Sequence, residues 1–410
     1  MVEPDKLLFV WALDGAGALT AHAEVDLKAA LAAHGDTLEA LVKQSREAAG
    51  ARGRGEQPPG AGEGSDDGDD HGGERSPEDA GGGAFAAAAA ADDLARGAGD
   101  GADTAPSADA AGSSTAQLQA LHALLFPPAV AAAILAAPRL LLVPHGPLFL
   151  VPFAALPDDR GTPLVERHAE LRQVPSLQVL AALAARRKAQ RGAAGGGGGG
   201  RKCGAKPLVV GVPKLFAGGL PRLRHTALEA KAAAKLLGTT ARCVGQTKAK
   251  VLARLTADVT HLHLATHGLL DQQALAFQKT HDGEALEDTL LSADEIYDMD
   301  LRRCGVAVLS ACNTAGGRKD INSDGVAGLQ RAFMAAGVHT LVISLWHVDD
   351  ASTRRLMEHF YAAWCDAGRG LTVSGALRVA MRALRAVGLS GPEHWGAFVV
   401  AGLDPPQLGQ

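Results

Sequence analysis

Two stretches constrain this chain more than any others: His261-Leu-His-Leu-Ala-Thr-His267-Gly268 and Val308-Leu-Ser-Ala-Cys312-Asn-Thr-Ala-Gly316-Gly317. In each, a short apolar run of the kind that fills a buried parallel strand ends at a reactive side chain followed by small residues or glycine. Two such strands deliver a histidine and a cysteine to the carboxyl edge of a sheet, which is where open α/β sheets bind ligands. An imidazole beside a thiol is a base beside a nucleophile, the chemistry of a cysteine peptidase. His267 is therefore the expected general base and Cys312 the expected nucleophile. A free thiol ionises near pH roughly 8.5, so the imidazole has to take the proton or favour the thiolate.

Three histidines of one strand parity, His261, His263 and His267, also admit a metal-site reading. Positions two apart on a strand are separated by roughly 6 to 7 Å, which is awkward for ligands that must all lie within about 2.1 Å of one ion. His261 and His263 are read as packing residues and no metal or other cofactor is expected. The other cysteines, Cys203, Cys243, Cys304 and Cys365, form no CxxC pair or zinc spacing and read as structural or exposed thiols. The odd total of five cysteines, with no basic n-region in Met1-Val-Glu-Pro-Asp, predicts reduced thiols in a cytoplasmic protein.

Charge divides unevenly. Residues 51–115 hold fourteen acids against four arginines, so a net formal charge of −5 for the whole chain conceals a mildly basic remainder. That segment is dominated by Gly, Ala, Ser, Asp and Glu, has little large apolar surface and is expected to be disordered. Dispersed basic residues and an aromatic content of 4% argue against a nucleic-acid partner, and the apolar run Leu7 to Ala12 is too short to span a membrane. Residues 186–206, which open with Arg186-Arg187-Lys188 and continue into six successive glycines, Gly195 to Gly200, read as a flexible linker. Around these breaks the periodicity predicts a hairpin and helix over 1–50, helical spacing interrupted at Pro127-Pro128 and an apolar strand at Leu140 to Val143 within 116–185, and alternating strands and helices over 207–403. His145, in the turn after that strand, reads as solvent-facing.

"ATHG", "LSACNTAGG" and "AGVHTLVISLWHVDDASTRRLMEHFYAAW", with "LLLVPHGPLFLVPFAAL", "LSADEIYDMDL" and "HWGAFVVAG", resemble the CHAT domain, a caspase- and separase-like cysteine peptidase module often joined to TPR repeats. The resemblance implies an α/β fold: a caspase-like, mostly parallel sheet with helices on both faces in a catalytic half, 207–403, preceded by a smaller α/β pseudo-protease-like half built from 1–50 and 116–185. It implies cysteine endopeptidase activity on protein or peptide substrates, in a regulatory, cell-death or stress-related setting. Gly268 and the backbone of Cys312 would hold the oxyanion, and Ser344, Leu345 and Trp346 would line the substrate pocket. The wider group selects basic residues through an acidic pocket group, for which Asp320, Asp324, Asp349 and Glu284 are available, and is often cut between its halves, which points to Arg186, Arg187, Lys188 and Arg191. No repeat of TPR length is present, so a separate TPR or sensor partner is an expectation. Two other readings fit the same residues: a latent CHAT-type regulatory interaction module, and a metal-dependent hydrolase using the histidine cluster.

Overall fold

The described parts of the two motif stretches lie on neighbouring central strands of one sheet. A computed structural model describes residues 2–3, 7–32, 37–51, 108–195, 206–214, 216–269, 272–313, 323–346 and 348–404. Its larger sheet has nine strands in the order β4 (Arg139–Leu142), β5 (Glu170–Gln173), β12 (Phe398–Gly402), β11 (Thr340–Ser344), β10 (Val306–Asn313), β7 (His261–Leu269), β8 (Ala274–Ala276) and β9 (Leu290–Ser292), with β6 (Pro207–Gly211) also paired to β7. Strands β6, β7, β10 and β11 are parallel in sequence of pairing, while β12 runs antiparallel to β11, and β8 and β9 return antiparallel beside the end of β7. Val209, Val210, Leu262, Leu264, Val308, Leu309, Leu341 and Val342 are all buried, the pattern of strands covered on both faces.

Crossover handedness explains that cover. After β6, α7 (Thr226–Leu236) leads outward to a segment that bridges Val210 through Arg242, and α10 (Ser323–Ala336) crosses the other way from β10 to β11. Right-handed connections in opposite directions put their helices on opposite faces. On the α7 face, α11 (Asp350–Trp364) packs against α7, and α12 (Val373–Ala386) against α11 and β5. Local chemistry sets the ends: Asp349 accepts the Ser352 N–H at the start of α11 at 2.8 Å, Thr247 accepts from Lys250 N–H to open α8 (Lys248–Leu252), and Gly238, at φ +66°, stops the chain after α7.

The front half meets this sheet in two ways. β4 and β5 extend its edge through β12, so the sequence boundary at the glycine run separates two parts of the chain and not two sheets. β1 (Val2–Glu3), β2 (Leu7–Leu13) and β3 (Leu19–Asp26) form a separate antiparallel sheet packed on α4 (Pro128–Ala136). The single helix predicted after the hairpin is two, α1 (Leu27–Leu31), capped by Asp26, and α2 (Leu38–Ala48), capped by Thr37. Helix α3 (Ala108–Leu125) ends before Pro127-Pro128, and α4 begins with Pro128 in the position where a missing N–H costs nothing. A short α5 (Leu164–Arg167) follows. His145 is exposed at the turn after β4.

Two boundaries move. Helix α6 (Leu177–Gly195) continues through Arg186-Arg187-Lys188, because Ala, Arg, Lys and Gln sustain a helix and because its polar side chains find acceptors: Arg186 Nη1 donates to the Met334 carbonyl at 3.1 Å and Gln190 Nε2 to that of Arg302 at 2.6 Å. The basic sites read as linker therefore begin on a helix, and only residues 196–205 of that stretch lie outside the described residues. Likewise α3 starts at Ala108, inside the segment read as disordered to 115, while residues 52–107 of it lie outside the described residues. The described residues belong almost wholly to one unit, Met1–Arg54 with Gly112–Gln410.

Candidate functional site

β7 and β10 run parallel in one unbroken register from His261↔Val306 to Gly268↔Asn313. In that register Cys312 is the partner of His267. Neighbouring strands lie about 4.8 Å apart, and positions directly in register share a face of the sheet. The motif residues thus occupy adjacent places on one face, at the carboxyl ends of two central strands.

His267 is closed to solvent, 0% exposed. Its Nε2 lies 2.8 Å from the carbonyl oxygen of Pro221, and the Phe216 ring meets the imidazole edge-on with centroids 4.3 Å apart. A carbonyl only accepts, so Nε2 carries the hydrogen and, in the neutral ring, Nδ1 has the lone pair. Both contacts come from the segment that follows β6, which folds over the end of β7. Neither was legible beforehand: a backbone carbonyl leaves no mark on residue type.

Gly268, which the family resemblance implies as an oxyanion donor, does not follow the strand. It is inside β7, between Asn313 of β10 and Leu275 of β8. Its lack of a side chain has a definite cause, since a Cβ there would sit 2.7 Å from the carbonyl oxygen of Ala311. Ser344, Leu345 and Trp346 are interior residues, at 0%, 0% and 1% exposure. Ser344 Oγ donates to the Trp346 carbonyl at 2.6 Å, and the Leu345 N–H to Ala397 O at 2.8 Å. Arg46 Nη2, from α2, donates to the Leu345 carbonyl at 3.0 Å, so both backbone polar groups of Leu345 are engaged within the protein. Burial lowers the Arg46 guanidinium to about 10, against a smaller raising effect of Glu47. Arg46 was missed, yet its place among Leu38, Leu41, Val42, Ser45 and Ala49 on the buried side of α2 is a signal, a charge at an apolar period.

The remaining histidines of β7 have separate tasks. His263 is wholly buried, with Nδ1 3.0 Å from the Tyr361 hydroxyl and Nε2 3.2 Å from Glu229 Oε1 of α7. His261 lies against the Trp364 ring, and burial lowers it to about 4, which makes it a neutral packing residue. Among the described residues no group of three or more His, Cys, Asp or Glu side chains is placed to hold a metal ion. The buried Glu229–His263 contact is structural: Glu229→Ala removes the polar partner of a buried imidazole and should lower unfolding free energy by about 1–3 kcal/mol, read from urea denaturation. An unchanged urea midpoint would remove that role.

Burial governs the described thiols. Burial pushes Cys304 up to about 12 and Cys365 up to about 11, and raises Cys243 as well. Of the acids offered for a basic-residue pocket, Asp349 caps α11 and Glu284 accepts from the Thr280 N–H and hydroxyl. Asp320 and the side chain of Asp324 lie outside the described residues.

Comparison with known proteins gives the same outline. The family model described as the CHAT domain matches residues 115–403. Tetratricopeptide repeat protein 28 of Homo sapiens is 26% identical over 308 residues, covering 65% of this chain and 12% of that protein, and its Mus musculus counterpart is 25% identical over the same length. The chain thus spans about an eighth of the curated relatives it matches. Among solved structures, the Saccharomyces cerevisiae separase–securin complex aligns with a TM-score of 0.40 and 16% identity over 65% of this chain and 16% of that one. The Porphyromonas gingivalis RgpB pro- and mature-domain complex aligns with a TM-score of 0.39 and 14% identity over 58% and 55%.

Proposed function

The chain belongs to the CHAT domain family, and from that premise we propose that it is a cysteine endopeptidase acting through His267 and Cys312. The observation that carries the reading is the register of β7 against β10, which sets these two positions side by side. Cys312 Sγ attacks the scissile carbonyl, and the oxygen takes up negative charge in a tetrahedral intermediate. The backbone N–H groups of Gly268 and Cys312 are assigned to that oxyanion. His267 receives the thiol proton on Nδ1, the nitrogen left basic by the Pro221 carbonyl, and passes it to the departing amine. The C–N bond breaks, leaving a thioester on Cys312, which water then hydrolyses to release the acid and restore the thiol.

The test is covalent. Electrophilic peptide probes, one with a basic and one with an acidic terminal residue, incubated with the purified chain and mapped by mass spectrometry, should modify Cys312 and leave Cys304 and Cys365 unmodified, since burial holds both thiols protonated at neutral pH. Labelling of Cys312 should be lost in His267→Ala. Modification of other thiols with Cys312 untouched would overturn the assignment.

A second reading, a regulatory CHAT-type interaction module, draws on a different surface. β2 and β3 expose Trp11, Leu13 and Leu19 at 49%, 48% and 55%, with Phe9 stacked on Trp11 at 5.7 Å. Protein partners that are retained in pull-downs by both the wild-type chain and Cys312→Ala, and lost in Trp11→Ala, would favour this reading.

A further inference from the structure

The segment that orients His267 also carries charge. Between Pro213 and His225 it presents Lys214, Arg222 and Arg224, all exposed, and no acid. None of the three enters an ion pair or side-chain hydrogen bond among the described residues. Arg222 directly follows Pro221, whose carbonyl binds His267 Nε2 at 2.8 Å, and Arg224 lies two residues further along the same limb. The acids in contact with this segment are few and placed elsewhere. Asp350 accepts from the His225 N–H, and burial raises its carboxyl above the usual range. Glu287 and Asp288 follow Leu286, which meets the other limb of the segment at Gly218. The acids that sequence reading offered for a basic-residue pocket and that lie among the described residues, Asp349 and Glu284, are occupied by capping and turn hydrogen bonds.

Resting on the peptidase reading, we infer that the substrate carries acidic side chains next to the scissile bond, recognised by Arg222, Arg224 and Lys214. The leaving amine must come within hydrogen-bond reach of His267 to be protonated, so the peptide around the bond passes over the segment that holds that imidazole. Unpaired guanidinium groups there favour carboxylates by charge and, for arginine, by two-pronged hydrogen bonding. Exposed charge pairs contribute only a fewfold each, and the three together about tenfold at low ionic strength. Such rim charges act mainly on encounter and partner choice.

The experiment is cleavage of a proteome-derived peptide library by the full chain, with cut bonds located by mass spectrometry. Asp and Glu should be enriched at least about threefold within three residues of the cut bond, with the enrichment falling as salt is raised. The variant Arg222→Glu/Arg224→Glu, shown to be intact by covalent labelling at Cys312, should lose that enrichment and shift toward Lys and Arg. Cys312-dependent cleavage without acidic enrichment, or enrichment unchanged in the double variant, would overturn this inference and leave the peptidase reading standing. Absence of any Cys312-dependent cleavage would overturn both.

Discussion

Cys312→Ala and His267→Ala, made singly, are each expected to lower kcat/KM for a cleavable peptide by about 10⁴-fold or more, and the double variant to be no worse than either. In the proposed mechanism the two positions act as one reacting unit. Without the thiol there is no thioester path, and the base has nothing to activate. Without the imidazole the thiol stays largely protonated at neutral pH and the departing amine has no proton donor. Their effects therefore overlap instead of adding, as they do for any nucleophile and base that act in one step. The measurement is a double-variant cycle with a quenched fluorescent peptide, beginning from the library's best-cut sequence. Multiplicative losses would mean that the residues act independently, which the register of β7 and β10 does not favour. Residual cleavage at wild-type rate in Cys312→Ala would assign the activity elsewhere.

The parts of this site that sequence made legible are those in which residue type and strand chemistry coincide. The apolar runs of β6, β10 and β11, and the alternate Leu262 and Leu264 of β7, read as buried parallel strands, and His267 and Cys312 stood at the ends of β7 and β10 with small residues beyond. Capping side chains such as Thr247 and Asp349 likewise declared helix starts. What was hidden depends on close packing or on backbone atoms. Helix α7 illustrates this: its leucines suggest the buried side, yet Leu228 and Leu236 are 47% and 42% exposed, and the buried positions are Ala230, Ala233, Ala234 and Glu229. Small side chains let α7 approach the sheet and α11, and Glu229 is accommodated because His263 meets it there. Similarly, nothing in the sequence shows that β8 returns beside β7 and carries the ladder past His267 to Gly268. The Pro221 carbonyl and the Arg46 contact to Leu345 join residues far apart in the chain, and only the assembled fold brings them together.

That packing gives Gly268→Ala the second large effect. The added methyl would stand 2.7 Å from Ala311 O and 3.2 Å from its carbonyl carbon, both backbone atoms that cannot rotate away as a side-chain end would. The strain is relieved only if β7 and β10 move apart or slide at the very rungs where His267 is paired with Cys312. Overpacking of this kind typically costs about 1–3 kcal/mol of stability. Because a nucleophile and its base must keep reacting distances to within a fraction of an ångström, the activity loss should be far larger, about 10²–10³-fold in kcat with little change in KM. A loss that merely followed instability would also appear in a remote core variant. Leu384→Ala supplies that comparison, since Leu384 is 0% exposed on α12 and its truncation should cost about 2–5 kcal/mol. At a temperature where both variants are folded, Leu384→Ala is expected to retain near wild-type kcat and Gly268→Ala to lose it. Equal kcat in the two would mean that the spacing of β7 and β10 at Gly268 does not govern the chemistry.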